Sequence, residues 1–274
     1  MKTIVLLGKR GQLGFELEKK LSHLGRLIAL SRDELDVTQL ETLATMLEEL
    51  HPDIIVNATA YTAVDKAQSD EIACFHANVS APAVMARVAH KLNALLVHYS
   101  TDYVFDGTKK KPYCETDTPN PINYYGYTKL LGEEAIKHSG CAYLIFRTSW
   151  VYHPEYGTNF FRTMLRLAKE KETLNIVADQ EGVPNDAAWL ASETTRILSN
   201  PLDEVKQKSG IYHMTQENVM TWFDFAKRII ETLPEEEKKC HTINPIPTEA
   251  YPTPAQRPKY SVLNANKLKM HFGN

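Results

Sequence analysis

The 274-residue sequence is poor in most of the features that announce a function outright. It has four cysteines, Cys74, Cys114, Cys141 and Cys240, with no C-x-x-C pair and no ligand-like cluster. Scattered thiols of this kind point to reduced cysteines in a cytoplasmic protein, and neither a disulfide framework nor a zinc module is expected. The first apolar run after Met1-Lys2, Ile4 to Leu7, is too short for a signal peptide, and no later stretch approaches the ~18 residues of a membrane span. Neither sign of charge dominates, with 31 basic against 34 acidic residues and a formal net charge of −3. The chain therefore carries no electrostatic footprint for nucleic acid or an anionic membrane. Internal repeats and low-complexity runs are absent too. At 43% hydrophobic and 24% charged, the sequence can bury an ordinary core, and its length suits one large α/β domain with a smaller lobe.

Secondary-structure signals alternate. Residues 3–7, TIVLL, read as a strand buried on both faces. Gly8-Lys-Arg-Gly11-Gln-Leu-Gly14 follows, and Leu17, Leu21 and Leu24 then recur at helical spacing. A strand, a glycine turn and a helix form a dinucleotide-binding pattern, although the glycines stand at G-x-x-G-x-x-G spacing. Gly8 and Gly11 would let the backbone approach a pyrophosphate at the helix N-terminus, and Gly14 would allow the helix to pack closely on the strand. A second strand, Arg26 to Leu30, ends in Ser31-Arg32, where an acid would select a ribose 2′-hydroxyl and an arginine would tolerate a 2′-phosphate. Arg32 has two readings of equal standing, a reader of the 2′-phosphate or a solvated loop residue. Thr38 and Glu41 read as a capping box for a helix over residues 38–50.

Strand three covers residues 54–58, and Ala60, Tyr61 and Thr62 follow it among small residues that suit close passage of a ligand. A helix over residues 71–92 carries Asn78. Strand four (95–99) delivers Ser100-Thr-Asp-Tyr103, and strand five (143–148) runs into Ser149-Trp150. Strands and helices alternating at this interval predict a Rossmann-type, doubly wound parallel sheet over residues 1–155, with ligands at the strands' C-terminal edge. Residues 156–274 have a looser rhythm and a proline-punctuated end. They are expected to form mostly a C-terminal substrate-binding lobe, with some segments returning to the first domain.

Tyr125-Gly-Tyr-Thr-Lys129 carries the chemistry. On a helix, the four-residue spacing puts Tyr125 and Lys129 on one face. An ammonium beside a phenol lowers its pKa from about 10, making the tyrosine a usable acid or base. Thr101, at the end of the preceding strand, could set a hydroxyl beside the same reacting oxygen.

Taken in order, the glycine turn, STDYVFDG, Tyr125–Lys129, RTSWVY, ADQEGVP (178–184) and YPTPAQRP (251–258) resemble the extended short-chain dehydrogenase/reductases, and among them the reductases of dTDP-linked 4-keto-6-deoxy sugars. The likeness spans nearly the whole chain. It implies NAD(P)H-dependent reduction of dTDP-4-dehydro-6-deoxy-L-mannose to dTDP-L-rhamnose, with NADPH as the cofactor and NADH possible. It also implies that Gly11, Gln12 and Leu13 line the pyrophosphate turn and that Asp36 and Val37 approach the adenine. Ala60, Tyr61 and Thr62 would pass along the nicotinamide. Thr101 and Asp102 would contact the sugar nucleotide and Trp150 would pack against the sugar. Tyr125 would protonate the C4 oxygen while Lys129 holds the nicotinamide ribose.

The sequence departs from this family at Asn185, where threonine is usual, and at Ala188, the position where some members carry a glutamate that joins Glu16 in holding Mg²⁺ between subunits. It ends at Asn274, before the family's usual proline-tryptophan segment. A monomer or weak homodimer without metal is expected. Two rivals come from other classes. A regulatory subunit like the methionine adenosyltransferase β subunit would not need the intact set Thr101, Tyr125 and Lys129. A dehydratase or epimerase of this superfamily would recycle its NAD, and a dehydratase would carry Asp-Glu where this chain has Asp102-Tyr103. Another 4-keto-6-deoxyhexose nucleotide reductase also remains open.

Overall fold

In the computed structural model, which describes residues 1–273, the apolar run Thr3–Leu7 is strand β1. Helix α1 (Gln12–Leu21), strand β2 (Arg26–Leu30), helix α2 (Leu40–Leu50) and strand β3 (Ile54–Asn57) follow. A helical stretch then starts at Glu71–Phe75, passes through a π-helical turn at His76–Ser80 and continues as α3 (Ala81–Leu92). Strand β4 (Leu95–Thr101), helix α4 (Tyr124–Lys137) and strand β5 (Ala142–Thr148) complete the regular part. Beyond it lie α5 (Phe160–Glu170), β6 (Thr173–Val177), α6 (Ala187–Leu198), β7 (Gly210–His213), α7 (Trp222–Glu231), β8 (Thr242–Ile246) and α8 (Asn266–Phe272).

The main sheet has the order β7-β5-β4-β3-β1-β2, and every pairing is parallel. Side chains alternate across a strand, so β1 feeds two cores. Ile4 and Leu6 pack with Leu13, Leu17 and Leu21 of α1 and with Leu190 and Ile197 of α6. Val5 and Leu7 pack with Leu43 and Leu47 of α2 and Met85 and Ala89 of α3. Both faces are thus covered, as the continuous apolar runs require. The chain leaves β1 toward β2 and then returns to β3 on the other side. That switch point opens a crevice beyond the C-terminal ends of β1 and β3.

Two local expectations differ. The helix expected over residues 38–50 starts at Leu40 without a side-chain cap. Thr38 instead donates from its backbone N–H (3.0 Å) and its hydroxyl (2.8 Å) to Asp36 Oδ1, so a local Asp turn wins over the capping box. The helix over residues 71–92 is interrupted by the π turn, which contains Asn78.

The lobe is a two-stranded parallel pair, β6 and β8, covered by α5 and α7 around Met164, Ile176, Phe225 and Ile229. After residue 155 the chain returns twice to the main sheet's core, through α6 and β7 (Leu190, Tyr212) and again through α8 (Leu268). Among the described residues no helix is long and apolar enough to cross a membrane, and no three His, Cys, Asp or Glu side chains are grouped to hold a metal ion.

Candidate active site

Gly8 begins the turn with φ +91°, a left-handed conformation that side chains resist. A Cβ there would stand 2.9 Å from Thr59 Cγ2, so β1 and the segment after β3 meet almost backbone to backbone. A Cβ on Gly14 would lie 2.0 Å from the Gly8 carbonyl oxygen. The turn is a cradle only glycine can line, and Gly11 at the N-cap leaves the first N–H groups of α1 without a side-chain partner. Gln12 accepts a 2.6 Å hydrogen bond from Asn159 Nδ2, and Phe15 stacks on Tyr156. Residues 153–159 therefore pack along the first turns of α1, where Leu13 is buried.

At the end of β2, Ser31 is buried and its hydroxyl has no protein partner. Arg32 is exposed and paired with Asp36 at 3.2 Å. Val37 is buried in the α2 layer. After β3, the backbone of Tyr61 is held at both polar groups by Asn78, whose Oδ1 accepts from the Tyr61 N–H (2.9 Å) and whose Nδ2 donates to the Tyr61 carbonyl (3.2 Å). The side chain in the π turn thereby fixes the path of residues 60–62. Ala60 and Thr62, on either side, are exposed.

Strand β4 carries Thr101 to its end, and Asn123 caps α4 by accepting from the Gly126 N–H at 2.8 Å. Gly126 is required there, since a Cβ would lie 2.1 Å from the Tyr103 carbonyl oxygen. This close approach sets Tyr125 beside Thr101, whose hydroxyl works against burial at the phenol. The Thr101 hydroxyl also donates to Asp102 Oδ1 (3.0 Å). Asp102 is almost fully buried, its Oδ2 has no partner, and burial pushes its pKa up to about 7.

Lys129 is 1% exposed, and the partners of its amine come from β4. Its Nζ donates to the Tyr99 carbonyl at 2.7 Å and lies 3.1 Å from His98 Nε2. Burial pushes its pKa down to about 8. Burial also raises the phenol of Tyr125, so a depressed phenol is not found in this state. Spacing along the helix placed both groups in one pocket, but β4 supplies nearer partners for the amine.

A cleft of about 720 Å³ opens between this centre and the lobe, lined in part by Tyr103, Phe160, Gln180, Trp222 and Arg257. Tyr103 also packs edge-on against Tyr125, with centroids 6.0 Å apart. Arg257 forms a two-pronged pair with Asp65 across the cleft mouth. Trp150 lies beside this cleft in a left-handed conformation (φ +44°), stacked on Trp222 at 3.5 Å. Strain of that kind persists where surrounding contacts dictate it. Here Gly182 leaves room for the indole, and Asn185 ties the segment down with bonds to the Ser149 and Val183 carbonyls (2.7 and 3.0 Å). The departure at Asn185 is thus a fully buried clamp. Glu16 is engaged by Lys19 (2.7 Å) and His153 (3.2 Å).

Sequence reasoning missed Trp222, Tyr103 and Arg257 as cleft residues, and Asn57 and His98 behind Lys129. His98 left a signal, a polar ring directly after the apolar run Leu95–Val97 in a strand buried at every position. Trp222 left none, since nothing local ties it to Trp150.

A parallel sheet with a glycine-lined crevice at its switch point, and a tyrosine, threonine and lysine at the next strand end, defines a Rossmann-type oxidoreductase of the short-chain dehydrogenase/reductase kind. A family model described as "RmlD substrate binding domain" matches residues 1–274. The chain is 47% identical to dTDP-4-dehydrorhamnose reductase of Burkholderia thailandensis, over 98% of this chain and 93% of that one. Its identity to the Escherichia coli K12 enzyme of the same name is 42%, over 98% and 92%. The crystal structure of dTDP-4-dehydrorhamnose reductase from Bacillus anthracis in complex with NADP superposes with a TM-score of 0.90 at 34% identity, covering 98% of this chain and 92% of that one. The chain belongs to the dTDP-4-dehydrorhamnose reductase family. A UDP-glucose 4-epimerase from Thermus thermophilus, 17% identical with a TM-score of 0.79 over 99% of this chain and 93% of that one, shares the fold.

Proposed function

We propose that this protein reduces the C4 ketone of dTDP-4-dehydro-6-deoxy-L-mannose to give dTDP-L-rhamnose, with NADPH as its cofactor and NADH as a usable substitute. The observation that carries the reading is the meeting of Thr101 and Tyr125 beside buried Lys129 at the strand edge. The cofactor's place is supported by the glycine-only cradle at Gly8 and Gly14, the uncapped N-terminus of α1 at Gly11, and the unpartnered Ser31 hydroxyl. Gln12 and Leu13 are assigned to the pyrophosphate, Arg32, Asp36 and Val37 to the adenosine, and Ala60, Tyr61 and Thr62 to the nicotinamide.

When bound, NADPH supplies the hydride to C4. Tyr125 would give its phenolic proton to the C4 oxygen, which gains negative charge and basicity as the carbonyl carbon is reduced, so that the alcohol forms. The raised pKa keeps that phenol protonated and ready before the reaction. Thr101 orients the phenol, and Lys129 is assigned to the ribose side of the same pocket. Asp102 and Trp150 are assigned to the sugar. The main sheet takes the cofactor, and the lobe covering residues 159–182 and 219–262 takes the nucleotide sugar. The dehydratase reading loses its footing because Tyr103 stands where a second acid would be required. Glu16 already has two basic partners, which supports a monomer or weak homodimer without metal, read directly by sedimentation with and without EDTA.

Tyr125→Phe tests the centre. Turnover is expected to fall by about 10²–10⁴-fold with NADPH affinity nearly unchanged. A variant that keeps more than about half the wild-type rate removes Tyr125 as proton donor.

A further inference from the structure

Behind the reacting centre lies a buried polar chain that the reduction itself does not require. Asn57, His98 and Lys129 are each at most 1% exposed. Asn57 Nδ2 lies 3.0 Å from His98 Nδ1, and His98 Nε2 lies 3.1 Å from Lys129 Nζ. The direction of the chain is fixed at its far end. The backbone N–H of Thr59 can only donate, and it donates to Asn57 Oδ1 at 3.0 Å, where the Thr59 hydroxyl also donates at 2.6 Å. Asn57 must therefore turn its NH₂ toward His98. His98 Nδ1 is then the acceptor, and the ring proton sits on Nε2. A ring N–H aimed at Lys129 is compatible with a neutral amine and repels an ammonium.

From this geometry we propose that Asn57 and His98 are positioning residues that favour the neutral form of the Lys129 amine, held on the Tyr99 carbonyl, until the cofactor is bound. The inference rests on the assignment of Lys129 to the reaction given above. Burial acts in the same direction, lowering Lys129 to about 8 and keeping His98 neutral. The opposing charges are accounted for. Glu133, one turn along α4, is the nearby acid, and Arg147 of β5 binds it at 2.6 Å while the Ser100 hydroxyl of β4 also donates to it. From the helix at residues 71–75, Cys74 faces the amine as a thiol that burial keeps protonated. His98 is faced only by Asn57 from β3 and Lys129 from α4 among its hydrogen-bond partners.

The tautomer can be read directly. In the cofactor-free full-length protein grown with ¹⁵N-histidine, a protonated and a bare ring nitrogen resonate far apart, and His98→Gln identifies the signals. His98 is expected with a bare Nδ1 and a protonated Nε2 from about pH 6 to about pH 9. A proton on Nδ1, or on both nitrogens, overturns the proposal. The second measurement follows the Lys129 side chain with ¹³C-lysine, assigned by Lys129→Met. Asn57→Asp offers an acceptor to Nδ1–H, reverses the tautomer and presents a bare Nε2 to the amine. His98→Gln offers it a carbonyl. Each is expected to raise the Lys129 titration by about one pH unit or more, and to move the basic limb of kcat/KM for NADPH upward with it. A titration that stays in place in both variants overturns the proposal, and His98→Gln alone decides if Asn57→Asp does not fold. Lys129→Met with unchanged turnover would instead remove the catalytic assignment and leave the tautomer result standing.

Discussion

The two sides of the active site are built by different physics. On the cofactor side, groups are held by backbone: Gly8 against Ala58 and Thr59, Tyr61 clamped by Asn78, and Gly126 against the Tyr103 carbonyl. On the side assigned to the sugar, the walls are packed rings, with Trp150 stacked on Trp222, Phe160 tilted against Trp222, and Tyr103 edge-on to Tyr125. A backbone contact has no slack, whereas a stack can slide and still bury area. Changes on the first side should therefore cost folding or cofactor binding, and changes on the second should cost substrate affinity.

The largest effect is expected at Gly14→Ala. Its Cβ would stand 2.0 Å from the Gly8 carbonyl oxygen and 2.7 Å from the carbonyl carbon, both backbone atoms with nowhere to go. Overpacking costs about 1–3 kcal/mol and more where backbone must move. For a chain of this size the thermal midpoint should drop by roughly 5 °C or more, with NADPH binding lost. Thermal unfolding and cofactor fluorescence titration check it. A variant that melts and binds like wild type would show that the cradle has the slack denied it here.

Trp222→Ala sharpens the other half. Trp150 would lose the ring that holds it, and a stacked aromatic pair contributes about 0.5–1.5 kcal/mol beyond its area. KM for the sugar nucleotide should rise about tenfold, with the NADPH dissociation constant unchanged and kcat within a few-fold. Equal losses for both ligands would mean that the two sides are one mechanical unit.

The same contrast explains what could be read from residues alone. β1, the glycine turn and the strand carrying Thr101 were legible because a buried parallel strand must be continuously apolar and a tight turn must be glycine. The Tyr125–Lys129 spacing correctly put both groups on α4. It could not reveal that the amine has nearer partners in Tyr99 and His98, because those come from a different element. The capping box at Thr38 failed to a competitor two residues away, Asp36. Trp222 stands 72 positions from Trp150 along the chain and finds it only through the packing of α7.

Asp102 belongs to both sides, and its pH dependence tests whether it is buried as a neutral acid. Its folded pKa is raised to about 7 by burial from an ordinary 3.8. The folded state thus holds a proton the unfolded chain has released, so this contribution is full below about pH 4 and is lost as pH rises to about 7. Asp102→Asn keeps the shape and removes the titration. It should therefore gain stability relative to wild type at pH 8 and gain little at pH 4, as read by thermal melts at the two values. A difference that does not vary with pH would place the carboxylate in water.

The smallest expected effect is at Arg32, where the cofactor side meets solvent. Its side chain is 82% exposed and its one ionic partner is Asp36, at 3.2 Å. A flexible guanidinium in water gains at most about 1 kcal/mol from a second anion such as a 2′-phosphate. That corresponds to roughly fivefold in binding. Arg32→Ala should lower kcat/KM for NADPH by no more than that and leave the value for NADH unchanged, because NADH has only a hydroxyl there. The measurement is the ratio of the two specificity constants in wild type and variant. A ratio that stays fixed assigns Arg32 to Asp36 alone and moves the choice between the cofactors to the buried Ser31 hydroxyl. A fall of a hundredfold or more would mean that the loop closes over the phosphate and removes it from water, giving this exposed corner the rigidity of the glycine cradle.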